Sequence, residues 1–273
     1  MTNDSLGDRM KSFYESIYNI AMPRRTNVII RIDGKAFHTY TRGLKKPYDT
    51  GLNDDMDATT KYLCQNIQGC KCGYVQSDEI SLLLTDYDRI ETDAWFSNKI
   101  QKMASIAASM ATSQFNKLRT IRMLKESDIN NAINLIENMR QAEFDARVFV
   151  IPSKEEIVNY FIWRQQDATR NSISTLAQSY FSPKELHGKK TNDMQDMLML
   201  EKNINWNNES VRFKRGGFIR KITSVIDYKV LSFDVMANNE VSSRGTGTTR
   251  TEWQAVEIPI ITQDRDFILN LMP

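Results

Sequence analysis

Histidine is almost missing from this chain: among 273 residues only His38 and His187 carry an imidazole. Cysteine is scarce too, with Cys64, Cys70 and Cys72 alone. A four-ligand zinc site needs four such donors at set spacings, and Cys70-Lys71-Cys72 has no second pair to complete one. An odd number of thiols with no secretory sign points to reduced cysteines. Uninterrupted apolar runs of about 18 residues are also lacking, which argues against a membrane-spanning helix. The first residues, Met1-Thr2-Asn3-Asp4-Ser5, lack the basic-then-apolar order of a leader peptide. The expected compartment is the cytosol. Neither sign of charge dominates: the formal net charge is +2, so global charge does not announce nucleic acid.

What is present is an ordinary soluble composition, 41% apolar and 26% charged, with length enough for a sizeable core. Basic residues gather locally at Arg24-Arg25, Lys45-Lys46, Lys189-Lys190 and Arg212-Phe213-Lys214-Arg215. Each alone is an ordinary solvated feature; several on one face would bind phosphates. Repeats and low-complexity tracts are absent.

Hydrophobic periodicity divides the chain into alternating elements. Residues 27–33 are apolar and β-branched and read as a buried strand. A turn-rich stretch follows, broken by Gly43, Pro47 and Gly51. Residues 53–68 read as a helix capped by Asn53 or Asp54 and closed by Gly69. Residues 71–76 and 79–85 read as two strands joined by a tight Ser77-Asp78 turn. Residues 92–119 read as a long helix whose alanines suit close packing on a sheet, and residues 121–138 as its extension or a protruding arm. Residues 146–151 form a fourth strand. Pro152-Ser153 ends it, and Ser153 can cap a helix over 154–181. A basic loop, a short helix over 192–202, two or three strands and a flexible Gly245–Thr249 loop complete the chain.

The order strand, helix, strand, strand, helix, strand is the split βαβ, or ferredoxin-like, arrangement with an antiparallel sheet. Its first strand lies beside its third. Asp33, ending the first strand, and Asp78, in the hairpin between the second and third, then meet at one edge. The expected organisation is a ferredoxin-like region over residues 1–151 and a helical and small-β region over 152–273.

Carboxylates held where buried strands end suit a hard divalent cation. Asp33-Gly34 by itself is what any strand-ending turn carries. Asp78-Glu79 is sharper: adjacent acids in an apolar hairpin repel unless a cation or hydrogen bonds offset the cost. Two such cations can activate one oxygen and stabilise another in phosphoryl transfer. The turn Asp33-Gly34-Lys35-Ala36-Phe37-His38 exposes successive N–H groups, and Gly34 allows a triphosphate to approach. Lys35, His38 and the Lys45-Lys46-Pro47 loop could add donors; the alternatives are a structural hydrogen-bonding role for His38 and a plain surface loop for Lys45-Lys46-Pro47.

Read together, Arg31-Ile32-Asp33-Gly34 through Phe37-His38, Lys46-Pro47, Gln76-Ser77-Asp78-Glu79, Ile151-Pro152-Ser153, Trp163-Arg164-Gln165-Gln166-Asp167, Ile204-Asn205-Trp206-Asn207-Asn208 and Lys214-Arg215-Gly216 resemble the tRNA(His) guanylyltransferase family of 3′-to-5′ polymerases. The ordered match runs through nearly the whole chain. The resemblance implies a polymerase-like palm in which Asp33, Asp78 and the carbonyl of Gly34 bind two Mg²⁺ ions and Glu79 supports them. It implies that Gly34, Lys35, Ala36, Phe37, His38 and Ser77 hold the triphosphate of GTP or ATP, with Lys46 also contacting the nucleotide. Arg164, Lys214 and Arg215 become candidate RNA contacts. tRNA is the implied partner, and a homotetramer, a dimer of dimers, the implied assembly.

Two departures stand out. Ala36 replaces the family's usual Asn. The eukaryotic His-Ile-Asn-Asn-Leu-Tyr-Asn is replaced by Thr169-Arg170-Asn171-Ser172-Ile173-Ser174-Thr175. The second departure resembles the guanylyltransferase-like branch, which implies templated repair of 5′-truncated tRNA rather than addition of one guanosine to histidine tRNA. Two rival readings are a non-enzymatic RNA-recognition module and a nucleotide cyclase. The first wants aromatics on the central strands, and none occurs in 27–32 or 80–84. The second leaves the C-terminal motifs unexplained.

Overall fold

The computed structural model describes residues 5–126, 128–226, 229–234, 239–244 and 248–273. Strand β1 (Val28–Gly34) obeys the two-residue period. Val28, Ile30 and Ile32 join one core cluster, while Ile29 joins another on the opposite face. β2 (Cys70–Gln76) and β3 (Glu79–Leu84) form a hairpin with Gln76 opposite Glu79. β3 then pairs antiparallel with β1, setting Asp33 opposite Glu79. β4 (Phe144–Val150) covers the other side of β1. β5 (Gly217–Ile226) and β8 (Thr248–Val256) extend the sheet beyond β2, giving the order β4-β1-β3-β2-β5-β8. β6 (Lys229–Asp234) and β7 (Asn239–Arg244) pair separately. The first strand thus lies beside the third, as the split βαβ reading requires. The C-terminal region contributes two strands to the same sheet.

Helices cover both faces. α1 (Thr50–Asn66) and α2 (Ile100–Glu126) pack Met56, Leu63, Met103, Ala107 and Phe115 against Ile30, Ile32, Ile80 and Leu82. After α3 (Ile129–Asn138), α4 (Lys154–Gln178) packs Ile157, Val158 and Phe161 against Ile29, Tyr74, Leu83 and Phe218 on the other face. Each of the larger aliphatic and phenylalanine side chains contributes about 1.5–3 kcal/mol on burial, the main drive to this arrangement. α5 (Thr191–Lys202) packs Leu198 with Leu176 and Phe181. Ser153 caps α4 as expected, accepting from the Glu156 N–H.

Several boundaries move. α1 begins at Thr50, capped by Asp49, because Gly51 sits in the first turn instead of breaking it. α2 begins at Ile100 rather than near Thr92. Phe96, Ser97 and Asn98 all lie in the left-handed region, with φ of 48°, 54° and 58°, and end any helix before them. The stretch beyond Arg119 both prolongs α2 to Glu126 and turns back as α3. Among the described residues the C-terminal region holds four strands, not two or three. Of the expected 245–249 loop, 245–247 lie outside the described residues, and Thr248 and Thr249 begin β8.

Asp55, next to the expected caps, is a buried ion in α1. Its carboxylate accepts from Arg119 at 3.1 Å and from Arg122 at 3.0 and 2.8 Å, tying α1 to α2. Removing one partner of a buried pair leaves charge without compensation, which costs about 3–5 kcal/mol. Asp55→Ala should therefore lower the unfolding free energy by an amount in that range. The loss in an Asp55→Ala/Arg119→Met double variant should fall short of the sum of the single losses, measured by urea unfolding.

Candidate active site

The register that pairs Asp33 with Glu79 also brings the Ser77-Asp78 turn to the end of β1. Three acids from two distant segments therefore share one sheet edge. Ser77 takes a φ of 47° to make the two-residue turn. Asp78 is half-buried there. Desolvation pushes its carboxyl up to about 6; the Ser77 hydroxyl and a backbone N–H oppose this, and the charges of Asp33 and Glu79 add to it. Asp33 is more open, with a distant Arg147 guanidinium at 3.9 Å.

Glu79 is different in kind. Arg164 reaches both of its oxygens, at 3.1 and 2.8 Å, and Arg31 lies 3.5 Å away. Its charge is already balanced by two guanidinium groups. Among the described residues no cluster of three or more His, Cys, Asp or Glu is gathered as a ligand set. The arginine clamp explains why the third acid does not complete one with Asp33 and Asp78.

The turn after β1 is anchored from below. Phe37 is buried against Tyr40, Phe115 and Phe144, with ring centroids 4.8, 5.8 and 5.3 Å away. A β-carbon on Gly34 would lie 2.2 Å from that ring, so only glycine lets the turn close over it. Ala36 holds a φ of 53°, a conformation that Asn tolerates better than Ala. Lys35 corrects the sequence reading. Its N–H donates to the Glu143 carbonyl at 2.8 Å and so is not left for a phosphate, while its exposed ammonium pairs with the Glu143 carboxylate at 2.5 Å. His38 is exposed beside the turn.

A cavity of about 260 Å³ opens next to Ser77. Lys46 and Tyr48 line one wall, Asn171, Ser172 and Thr175 of α4 another, and Arg212 and Phe213 a third. Tyr48 and Phe213 stack at 4.2 Å, and Arg212 is held by Asp57 through contacts of 2.7–3.0 Å. Gln76, 4% exposed, also lines it, and its side-chain oxygen has no hydrogen-bond partner. The sequence reading gave Gln76, Asn171 and Ser172 no separate roles. A polar residue closing the apolar run Cys72–Val75 was the available signal for Gln76; Asn171 and Ser172 carry none that separates them from a helix surface.

Two of the three expected RNA contacts are revised. Arg164 is 4% exposed and committed to Glu79, with its guanidinium under the Trp163 ring at 3.5 Å. Lys214 is buried, and its ammonium donates to the Asn207 carbonyl at 2.5 Å. Neither offers its charge to solvent. Arg215 is half-buried, and its carbonyl accepts from the Tyr74 hydroxyl at 2.7 Å.

Comparison with known proteins adds an independent line. A family profile described as tRNAHis guanylyltransferase matches residues 7–152. The solved structure of a bacterial tRNA(His) guanylyltransferase-like protein in complex with ATP is 43% identical, with a TM-score of 0.80, covering 98% of this chain and 99% of that one. The structure of a bacterial guanylyltransferase-like protein in complex with GTP is 41% identical, with a TM-score of 0.74 and the same coverage. The tRNA(His) guanylyltransferase of Debaryomyces hansenii is 30% identical over 203 residues, 70% of this chain and 72% of the relative.

The raised Asp78 carboxyl gives a signed expectation. With no metal added, the folded chain holds this proton more tightly than the unfolded chain, whose Asp titrates near 3.9. Stability from this group is therefore lost as pH rises from about 4 through 6. Asp78→Asn removes that loss. Its melting temperature should match wild type below about pH 4 and exceed it above pH 6 in chelator. Scanning fluorimetry across this pH range checks the order.

Proposed function

Because the chain belongs to the tRNA(His) guanylyltransferase family of nucleotidyltransferases, we propose that it adds nucleotides to tRNA 5′ ends, in the 3′-to-5′ direction, as templated repair of truncated tRNA. One observation carries the reading: Asp33 and Asp78 converge beside a cavity whose buried Gln76 oxygen has no intramolecular partner. An orphaned buried acceptor asks for a donor from a ligand, and a nucleotide supplies amino and hydroxyl donors. The ATP and GTP in the bacterial relatives' structures support nucleotide binding here.

The donor set fits Mg²⁺. That ion binds through one or two carboxylates together with substrate phosphates, not through an all-protein cage. Asp33, the Gly34 carbonyl and Asp78, whose charge is raised in cost by its surroundings, would hold two such ions. Bound there, they would lower the pKa of an attacking hydroxyl and neutralise charge on the leaving phosphate. The protein's own residues do the rest. The cavity beside Ser77 takes the nucleotide, Lys46 offsets phosphate charge, and the Phe37 anchor holds the turn of residues 34–38 at the edge. In the first reaction the RNA 5′-monophosphate attacks the α-phosphorus of ATP and pyrophosphate leaves. In the second the 3′-hydroxyl of GTP attacks the RNA 5′-phosphorus and AMP leaves. A 5′-triphosphate end skips the first reaction and releases pyrophosphate.

The repair preference rests on residues 169–175. Asn171, Ser172 and Thr175 stand along the cavity within the segment where the eukaryotic motif differs. The homotetramer is supported by the N-terminal helical residues 6–18. Leu6, Phe13, Tyr14, Ile17 and Tyr18 are each more than 60% exposed, an apolar stripe this large being typical of an interface. Work in the cytosol accords with the reaction; among the described residues no helix is long and apolar enough to cross a membrane.

Asp33→Ala and Asp78→Ala should each reduce nucleotide addition by at least about 1,000-fold while leaving the circular dichroism spectrum intact. Wild-type-like activity in either would contradict the assignment. Labelled GTP offered with 5′-truncated tRNA and with full-length histidine tRNA should be incorporated mainly into the truncated one; the opposite preference would indicate guanosine addition in histidine tRNA maturation. Separately, Phe13→Asp/Ile17→Asp should reduce the mass measured by light scattering from tetramer to a smaller species.

A further inference from the structure

The nucleotide cavity occupies only one flank of the acidic edge. The other flank, toward β4, carries an unassigned feature. Trp163 projects from α4 with 46% of its surface exposed, although its neighbours Tyr160 and Phe161 are buried. Its indole is held in place by the Arg164 guanidinium, 3.5 Å from the ring centroid, and edge-on by Tyr160 at 5.9 Å. Arg31 approaches the same ring at 5.9 Å. Arg31 precedes Asp33 by two residues, so it stands on the same sheet face about 6.6 Å along the strand. Arg147, the β4 residue paired with Arg31, has a side chain 54% exposed, and its guanidinium lies 3.7 Å from the Asp145 carboxylate and 3.9 Å from that of Asp33. A rigid open aromatic and a loosely held cation therefore flank the reacting edge, opposite the cavity.

An exposed indole with a fixed orientation loses little freedom when a flat ring stacks on it, and a neighbouring guanidinium offers charge to a phosphate. We infer that Trp163 is the stacking platform for the 5′-terminal nucleobase of the RNA acceptor, with Arg147 contacting the adjoining phosphate. This inference rests on the function proposed above. It assigns the RNA end to the β4 flank because the free nucleotide fills the cavity on the other. The contact is tolerant of base identity, since every base presents a π-face. That suits an enzyme extending ends of differing sequence.

The test uses full-length wild type, Trp163→Leu, Trp163→Phe and Arg147→Gln. The probe is a 5′-truncated tRNA transcript carrying 2-aminopurine as its first nucleotide. Wild type should quench the probe on binding. Trp163→Leu should lose the quench and raise the KM for RNA about 5- to 100-fold, with the KM for GTP changed less than twofold. Trp163→Phe, which keeps a ring over Arg164, should retain most of both. Arg147→Gln should reduce the slope of log affinity against log salt by about 0.7–0.9. If Trp163→Leu keeps the quench and the RNA KM, the proposal is overturned. It is equally overturned if the change falls on kcat or on the KM for GTP alone, because Trp163 would then act only by supporting Arg164 under Glu79. A wild type that adds no nucleotide to any RNA would sink the enzymatic reading. A quench abolished in Trp163→Leu would still establish the stacking contact.

Discussion

A carboxylate held between two guanidinium groups decides the character of this molecule. Glu79 stands between Arg164 and Arg31 at the edge where Asp33 and Asp78 also end. Three uncompensated acids at one edge would repel strongly, and burial would raise that cost. Neutralising one of them lowers it without covering the other two. The same contact fastens α4 to β3, because Arg164 belongs to the helix and Glu79 to the strand. The stack of Trp163 over Arg164 and the hydrogen bond between Ser81 and Tyr160 at 2.7 Å fix the helix along the same line. Position and charge balance at the acidic edge are thus consequences of one buried interaction. Such a pair adds little net stability beyond what hydrophobic side chains of similar volume would give. Its contribution is placement.

The strands that carry the acids change character along their length. On the α4 face β1 presents Ile29, then Arg31, then Asp33, while β3 read in reverse presents Leu83, then Ser81, then Glu79. The apolar ends pair with each other and pack under Ile157 and Phe161; the charged ends pair with each other at the rim. The opposite face stays apolar throughout, with Val28, Ile30 and Ile32 matched to Leu84, Leu82 and Ile80. A strand with one uniformly buried face has its register fixed, since a slip of one residue would put every side chain on the wrong side. The uniform face secures the register, and the graded face spends that security on holding like charges together.

Much of this was legible in the sequence because it depends on strand period and on where strands stop. The two acidic turns, the hairpin and the topology that joins them follow from short-range patterns. The misreadings share a different cause. Arg164 and Lys214 resemble surface charges because nothing local distinguishes a buried arginine from an exposed one. The partner of Arg164 lies 85 residues away. The buried role of Asp55, beside the expected caps Asn53 and Asp54, goes unseen for the same reason. The delayed start of α2 escapes because Phe96, Ser97 and Asn98 adopt left-handed conformations without any Gly or Pro to announce them. The loss of the Lys35 N–H to Glu143 needs the edge strand in place before it can be seen. The N-terminal helical run has the right spacing but turns its apolar residues to solvent, so no core in this chain marks it.

Extension of an RNA from its 5′ end poses a geometric problem that ordinary strand elongation does not. A sugar hydroxyl from a free nucleotide must meet a phosphorus at the end of a polymer, and each brings its own negative charge to the same place. Holding both within reach supplies most of the advantage of an enclosed site, provided that they arrive from different sides. A single deep pocket would force the two into competition. Here the acidic edge is a rim with two approaches, one through the cavity lined by Gln76 and Lys46, the other across the face bearing Arg31 and Arg147. The Glu79 clamp lies between them and occupies the sheet face that would otherwise join the two. On the proposed reading this division follows directly from the register: β1 is shared between β3, which leads to the cavity, and β4, which leads to the open shelf. On the same reading the central strand brings the reacting groups together from opposite neighbours, and the alternation of its side chains sets the face they meet on.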